Sequence, residues 1–498
     1  MKINPILLTD GYKTGHHHQY PDGTTSVYSN WTARSNKYAP TGANKVLSIG
    51  QQLVIRWLVE TFNEDFFGKP KEDVCSEIKR ELSLYLNCDY DVSHFEKLHD
   101  LGYLPIHVKS IKEGTEVPIR IPMLTIKSTH NFGWVTNFLE TILSNMLWQP
   151  MTSGSIALLY RRIMTKWANK TDIENIGFID WQCHDFSMRG MGGLMSAILS
   201  GIGHASVFSG SDTLPVISAM RHYYDAKGFV IGSVNATEHS VMCAGSKDGE
   251  LETFRRLMDI YPTGILSIVS DTWNLWDVIT KILPILKEEI LARDGKLVIR
   301  PDSGDPVDII CGTIKFDDIE DYKNYLSTSK HSANTKEIGV IELLWDLFGG
   351  TVNDQGFKVL DSHIGAIYGD SITPARAEEI CSRLVDKGFA STNIVLGIGS
   401  YTYQYNTRDT FGFAMKATYI EINGEGKEIF KDPITDNGVK KSAKGLLCVT
   451  DINGELVLTD EVNKDTEDRG ELITIFKDGT FYNQETLEII RERIKQLK

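Results

Sequence analysis

An α/β fold built on a parallel sheet is predicted for the middle of this 498-residue chain, with a second α+β lobe at its ends. Short apolar runs recur from about residue 176, each closed by a polar or glycine-containing turn and followed by a helical pattern. Strands that alternate with helices build parallel sheets buried on both faces. The chain before residue 150 and from Phe413 onward instead mixes amphipathic helices with alternating strands. At roughly 150 residues per domain, the length accommodates two or three domains and a deep cleft.

Val46, Ile49, Leu53, Trp57 and Leu58 stand at helical spacing and predict a helix over 43–62; Val74, Ile78, Leu82 and Leu86 predict another over 72–86. From Leu104 to Thr129, short β-rich runs punctuated by Glu113-Gly114-Thr115 and Ile121-Pro122 predict strands and turns, before a helix over 134–148. In the middle region the expected strands are 176–180, 265–271, 297–302, 364–370 and 393–397. Residues 415–422 alternate before Asn423-Gly424 and are expected to return to the N-terminal lobe. Whether such a sheet is open or closed into a barrel, ligands bind beyond the carboxyl ends of its strands. Asp271, Arg300, Asp302, Gly369, Asp370 and Gly399 lie there; singly, each also reads as a solvated loop or capping residue.

With 52 basic against 66 acidic side chains the net charge is -14, which argues against a nucleic-acid binder. The seven cysteines are scattered without a C-x-x-C pair and read as free thiols of a reducing compartment. Pro5 and Asp10 interrupt any leader-like stretch, and no segment approaches the roughly 18 apolar residues of a membrane span, so a soluble cytoplasmic protein is expected. His16-His17-His18 reads as part of a native turn rather than a metal tract. The P-loop, H-E-x-x-H and G-x-S-x-G signatures are absent, and Gly190-Met191-Gly192-Gly193 fails the dinucleotide spacing.

The remaining charged motifs suit a sugar phosphate. In Arg300-Pro301-Asp302-Ser303-Gly304-Asp305 a guanidinium can grip phosphate bidentately while a carboxylate accepts from ribose hydroxyls; an ion pair followed by a helix cap is the plainer reading. His184-Asp185-Phe186-Ser187-Met188-Arg189 offers an aromatic face with an arginine three residues on, although Phe186 alone reads as core. Glu238-His239-Ser240 puts a histidine in a polar loop, where it can act as base, phosphate ligand or nucleophile.

Together these stretches resemble the nicotinamide phosphoribosyltransferases of the type II phosphoribosyltransferase family. The resemblance is carried, in order, by Leu7-Leu8-Thr9-Asp10-Gly11-Tyr12-Lys13, Gln19-Tyr20-Pro21, Glu113-Gly114-Thr115, Thr136-Asn137-Phe138-Leu139-Glu140-Thr141-Ile142-Leu143, His184-Asp185-Phe186, Gly210-Ser211-Asp212-Thr213, Glu238-His239-Ser240, Val269-Ser270-Asp271, Ile299-Arg300-Pro301-Asp302-Ser303-Gly304, Gly369-Asp370, Thr407-Arg408-Asp409 and Phe430-Lys431-Asp432-Pro433.

The resemblance implies an irregular parallel β/α barrel, residues 151–404, flanked by an α+β lobe from 1–150 and the strand-rich 405–498. It implies transfer of 5-phosphoribosyl from its 1-diphosphate to nicotinamide in NAD biosynthesis, by a homodimer with active sites at the interface. The ring would lie between Phe186 and Tyr12, the latter from the second subunit, with Asp212 accepting from the carboxamide. Arg189, Arg300, His239 and Asp271 would surround diphosphate and ribose, and Asp302 the ribose hydroxyls. Gly369, Asp370, Gly399 and Ser400 would receive the 5-phosphate, and Arg34, Arg408, Lys416 and Lys431 would add positive charge. Magnesium is expected on the diphosphate, and ATP as a stimulating co-substrate that phosphorylates His239, whose tautomer Asp271 or Glu238 would fix. The loop Gly397-Ile398-Gly399-Ser400-Tyr401 has a shorter glycine run than the family's phosphate turn, and bulky Tyr401 is expected to narrow it or to move its contact to a neighbour. The competing functions are a nicotinate phosphoribosyltransferase, a catalytically silent nucleotide-binding protein and a metal-dependent hydrolase.

Overall fold

The computed structural model of the chain describes residues 3–431 and 442–497, so the Asp432-Pro433 end of the last motif lies outside the described residues. The chain divides into two compact units, one of 1–155, 218–228 and 406–498, the other of 156–217 and 229–405. Residues 218–228, expected within the barrel span, thus group with the terminal segments.

The first unit is organised by an antiparallel sheet in the order Glu425–Glu428, Ala414–Ile422, Thr24–Thr32, Pro122–Ser128, Ile106–Ser110, Ile473–Lys477 and Thr480–Phe481. Strands from the chain's end therefore flank strands from its beginning on both sides. Fully buried Trp31 stacks on Phe413 with centroids 5.1 Å apart and planes within 6°, and its Nε1–H donates to Met151 Sδ at 3.3 Å. Such a pair joins the two ends of the chain by stacking as well as by area buried.

The helix expected over 43–62 begins only at Gln51: residues Lys45–Leu47 form a strand paired with Glu116–Pro118, which buries Val46 and Leu47 without a helical face. Gly50, at φ +97°, makes the turn into Gln51–Phe62, and a Cβ there would stand 2.5 Å from Pro150 Cγ. The helix expected over 134–148 extends from Val135 to Thr171, and its residues up to Ser155 belong to the first unit.

Glu113 of the Glu113-Gly114-Thr115 motif is buried at the start of Gln51–Phe62, where Oε1 accepts from Gln52 N–H at 2.6 Å. Burial pushes its carboxyl up to about 7, against the lowering effect of the Gln52 and Gly50 amides. The folded state thus keeps a proton that the unfolded chain releases above its ordinary 4.5. The contribution to stability is complete below that value and is lost as pH rises through about 7, a total of roughly 3 kcal/mol. Urea midpoints of wild type are expected to fall between pH 5 and 7.5, and Glu113→Gln to flatten that fall; an equal fall in the variant would assign the titration to another group.

In the second unit, among the described residues, six strands pair in parallel in the order Cys183–Asp185, Ile394–Ile398, Ile364–Tyr368, Asp294–Arg300, Thr263–Val269 and Asn235–Ala236. Two single parallel bridges, Asp185↔Ser211 and Gly210↔Gly232, carry the pairing past the first edge to just before Asn235 on the other. The sheet curls into an irregular parallel β/α barrel whose seam is made of these bridges.

The strand expected at 176–180 is not one. Ile173–Phe178 and Ile179–Gln182 are short helical turns, and only Ile179 of the expected run is buried. Asp172 accepts from Asn175 Nδ2 at 3.0 Å, a local bond that favours a tight turn over an extended ladder. The strand is instead Cys183–Asp185, a polar triplet buried by its position in the barrel. Among the described residues no helix is long and apolar enough to cross a membrane.

Candidate active site

The carboxyl ends of the barrel strands bring the second unit's expected residues together in two interlocked groups. Phe186, just after Cys183–Asp185, donates its N–H to Ile398 O at 2.9 Å. Its ring lies 4.5 Å from that of His184, whose Nε2 is 2.9 Å from Asp212 Oδ1. Asp185, fully buried, accepts from Ser187 N–H at 2.9 Å and from the hydroxyls of Thr213 at 2.7 Å and Ser211 at 3.3 Å. The motifs His184-Asp185-Phe186 and Gly210-Ser211-Asp212-Thr213 therefore hold each other. Gly210 is required by closeness: a Cβ there would stand 2.8 Å from His184 Nδ1.

Burial raises the Asp212 carboxyl, but hydrogen bonds from His184 and Ser233 and the positive fields of His184 and Arg300 outweigh it and leave the group below its ordinary value. Asp212 is an ionised acceptor, and the 45% exposure of its side chain leaves it accessible. His184 as its partner was not anticipated. The two are 28 residues apart, and the pairing at the seam brings them together.

The second group lies where Thr263–Val269, Asp294–Arg300 and Ile364–Tyr368 end. Asp271 Oδ2 accepts from Asp302 N–H at 2.9 Å and from Ser303 Oγ at 2.6 Å, whereas its Oδ1 is buried with no hydrogen-bond partner. His239 Nε2 faces Asp271 Oδ1 at 3.9 Å and Asp302 Oδ2 at 4.0 Å, too far for hydrogen bonds. Its Nδ1 meets Thr272 Oγ1 at 3.0 Å. The hydrogen bond to the ring thus comes from Thr272 rather than from Asp271 or Glu238; Glu238 is engaged by Ser240 Oγ. Burial, with Asp271 and Asp370 nearby, lifts the Asp302 carboxyl above its ordinary value against the pull of Arg300 and His239. Arg300 Nε is buried and without a partner, a donor suited to an incoming anion.

Gly369 lies directly against this group: a Cβ would come 2.1 Å from Asp302 Oδ1, and a Cβ on Gly397 would come 2.8 Å from Gly369 Cα. Asp370 accepts from Ser371 Oγ at 2.8 Å, and a Cβ on Gly399 would reach Asp370 Oδ1 at 3.6 Å. Ser400 opens the short helix Ser400–Tyr403, and a Cβ on Gly190, next to exposed Arg189, would meet its Oγ at 2.1 Å. Tyr401 is half exposed with its ring 5.0 Å from Tyr405.

The remaining expected residues belong to the first unit. Lys13 is buried with Nζ on Asn137 O at 2.8 Å, Asn137 Oδ1 at 3.2 Å and Glu140 Oε2 at 2.8 Å, so all three ammonium protons are used. Thr9 Oγ1 donates to Phe138 O and Thr141 Oγ1 to Asp10, which docks the first motif on the helix motif 136–143 and leaves Tyr12 67% exposed between them. Arg34 Nε donates to Gly412 O at 3.0 Å. The Lys416 ammonium is pulled below its ordinary value by burial, opposed by Glu140 and reinforced by Arg34, Lys431 and Arg408. Arg34, Lys431 and Arg408 therefore all lie within electrostatic reach of Lys416.

The model of the nicotinate phosphoribosyltransferase (NAPRTase) family matches residues 181–480. The chain is 47% identical to a nicotinamide phosphoribosyltransferase of Acinetobacter baylyi over 99% of its own length and 98% of that protein's, and 34% identical to one of Mycoplasma pneumoniae over 87% and 93%. Human nicotinic acid phosphoribosyltransferase shares the fold at a TM-score of 0.55 and 15% identity, over 98% of this chain and 93% of that one. Pyrococcus furiosus nicotinate-nucleotide pyrophosphorylase does so at 0.57 and 14%, over 99% and 95%. With the family's model matched over 181–480 and relatives 34–47% identical along most of its length, the chain belongs to the nicotinate phosphoribosyltransferase family.

Proposed function

We propose that the protein transfers 5-phosphoribosyl from its 1-diphosphate to the ring nitrogen of nicotinamide, giving nicotinamide mononucleotide and diphosphate for NAD biosynthesis. The observation that carries this reading is the ionised Asp212 held by His184 beside Phe186. The names of the relatives from Acinetobacter baylyi and Mycoplasma pneumoniae support it. A carboxylate at that place accepts from a carboxamide N–H and repels a pyridine carboxylate. The family model's name favours nicotinate as the alternative substrate, and Asp212 weighs against it.

In this mechanism the ring stacks on Phe186 and its nitrogen attacks ribose C1 with its own lone pair, so no general base is required. The C1–O bond breaks, and its electron pair leaves with the diphosphate. Asp302 accepts from the ribose hydroxyls, and Arg300 and Arg189 hold the leaving group, so catalysis rests on positioning and charge stabilisation. Gly369, Asp370, Gly399 and Ser400 bound the place of the 5-phosphate. The unpartnered Asp271 Oδ1 and the neighbouring Asp302 suit a magnesium ion that arrives with the diphosphate, which would neutralise the departing oxygens.

ATP stimulation through phosphorylated His239 is part of the proposal: with Nδ1 on Thr272, Nε2 is the nitrogen that attacks the terminal phosphorus as ADP leaves. So is a homodimer, in which exposed Tyr12 and the cations Arg34, Arg408, Lys416 and Lys431 serve the second subunit's site; the exposure of Tyr12 supports it. A cytoplasmic location is supported by seven free cysteines. The test is to incubate purified protein with nicotinamide, phosphoribosyl diphosphate and magnesium, with and without ATP. Nicotinamide mononucleotide is expected to form, faster with ATP; no product under either condition overturns the proposal.

A further inference from the structure

Arg120 belongs to none of the motifs, yet its backbone is held at φ +77°, a region that side-chain-bearing residues other than Asn and Asp seldom occupy. Its N–H donates to Ala33 O at 2.6 Å, and Ile121 N–H donates to Pro118 O at 3.2 Å, so the turn is tied to the residue beside Arg34. Glycine or asparagine would take this conformation at less cost. An arginine in a strained turn calls for a reason in its side chain.

That side chain lines a cavity of about 290 Å³ within the first unit, shared with Arg34, Lys416, Asn30, Thr32 and Asp460. Among the described residues the lining thus holds three cations and one carboxylate, and Asp460 Oδ2 already accepts from Lys444 N–H at 3.2 Å. The Arg120 guanidinium makes no hydrogen bond or ion pair among the described residues. Like charges gathered around an open space repel one another, and an anion in that space removes the repulsion. A solvated turn arginine is the plainer reading, but it accounts neither for the strained backbone nor for the shared cavity.

We infer that Arg120 is a further phosphate-binding residue, which with Arg34 and Lys416 grips a phosphate or diphosphate group through its planar fork. The assignment of that group to phosphoribosyl diphosphate rests on the transferase reading above. The test uses the full chain, with calorimetric titration of inorganic diphosphate and steady-state kinetics on wild type, Arg120→Ala, Arg120→Lys and Arg120→Gly. Loss of a charge-assisted bond predicts about tenfold or more weaker diphosphate binding in the alanine and glycine variants, with a matching rise in KM for phosphoribosyl diphosphate. The KM for nicotinamide should stay within about twofold, and lysine should recover most of the loss. Arg120→Gly relieves the backbone, so its Tm should equal or exceed that of wild type, which separates lost binding from lost folding. Unchanged diphosphate binding in the alanine and glycine variants overturns the inference. If diphosphate binding falls in the variants while wild type makes no nicotinamide mononucleotide, Arg120 is upheld as a phosphate ligand and the transferase reading alone fails.

Discussion

Asp212→Asn is expected to cut the preference for nicotinamide over nicotinate, measured as the ratio of kcat/KM values in parallel assays, by between about thirtyfold and about a thousandfold. The upper figure is two like charges about 4 Å apart at an effective dielectric near 20, roughly 4 kcal/mol. The lower allows for solvent screening, because the Asp212 side chain is 45% exposed. The sign follows from the ionised state of the carboxylate, which His184, Ser233 and Arg300 maintain. The amide of asparagine keeps the size and one acceptor, so the barrel should fold as before. An unchanged ratio would remove Asp212 as the selectivity group.

His239→Ala should abolish stimulation by ATP and reduce ATP-coupled turnover by about a hundredfold or more, as expected for a side chain acting directly on the reacting group. The nitrogen facing Asp271 and Asp302 disappears, while the bonds from Asp271 to Asp302 and Ser303 remain, so phosphoribosyl diphosphate should still bind. Radiolabel from the terminal phosphate of ATP should enter wild type as an acid-labile adduct and be missing from the variant. Full ATP-coupled turnover in His239→Ala would sink the phosphohistidine step.

The strand ends Asp271, Arg300, Asp302 and Gly369 could be read from sequence because each follows a long apolar run, and burial on both faces demands such runs of a parallel strand. Cys183–Asp185 could not: it is three residues long and mostly polar, and its burial comes from barrel neighbours that no local pattern records. The neighbouring run 176–180 satisfied the pattern and folds as helical turns. Val46 likewise fitted a helix that starts five residues later, because partnership with Glu116–Pro118 outweighs local spacing. His184 as the partner of Asp212, and Thr272 as the partner of His239, are tertiary pairs made by the meeting of strands far apart in sequence. The strained turn at Arg120 has no signature, since positive φ is announced in sequence by glycine or asparagine and here falls on arginine.

The barrel is not equally regular around its circumference. From Thr263↔Asp294 to Val269↔Arg300 the ladder is continuous, whereas the arc through Gly210 and Ser211 is joined by single bridges and kept in register by the hydroxyls on Asp185. On the proposed reading the sugar phosphate, identical in every turnover, meets the continuous ladder, and the pyridine base meets the arc held largely by side chains. The family's names divide between nicotinate and nicotinamide, which differ only at the base. Base choice can therefore be retuned by exchanging a few side chains along that arc, while the ladder that holds the reacting centre is left untouched.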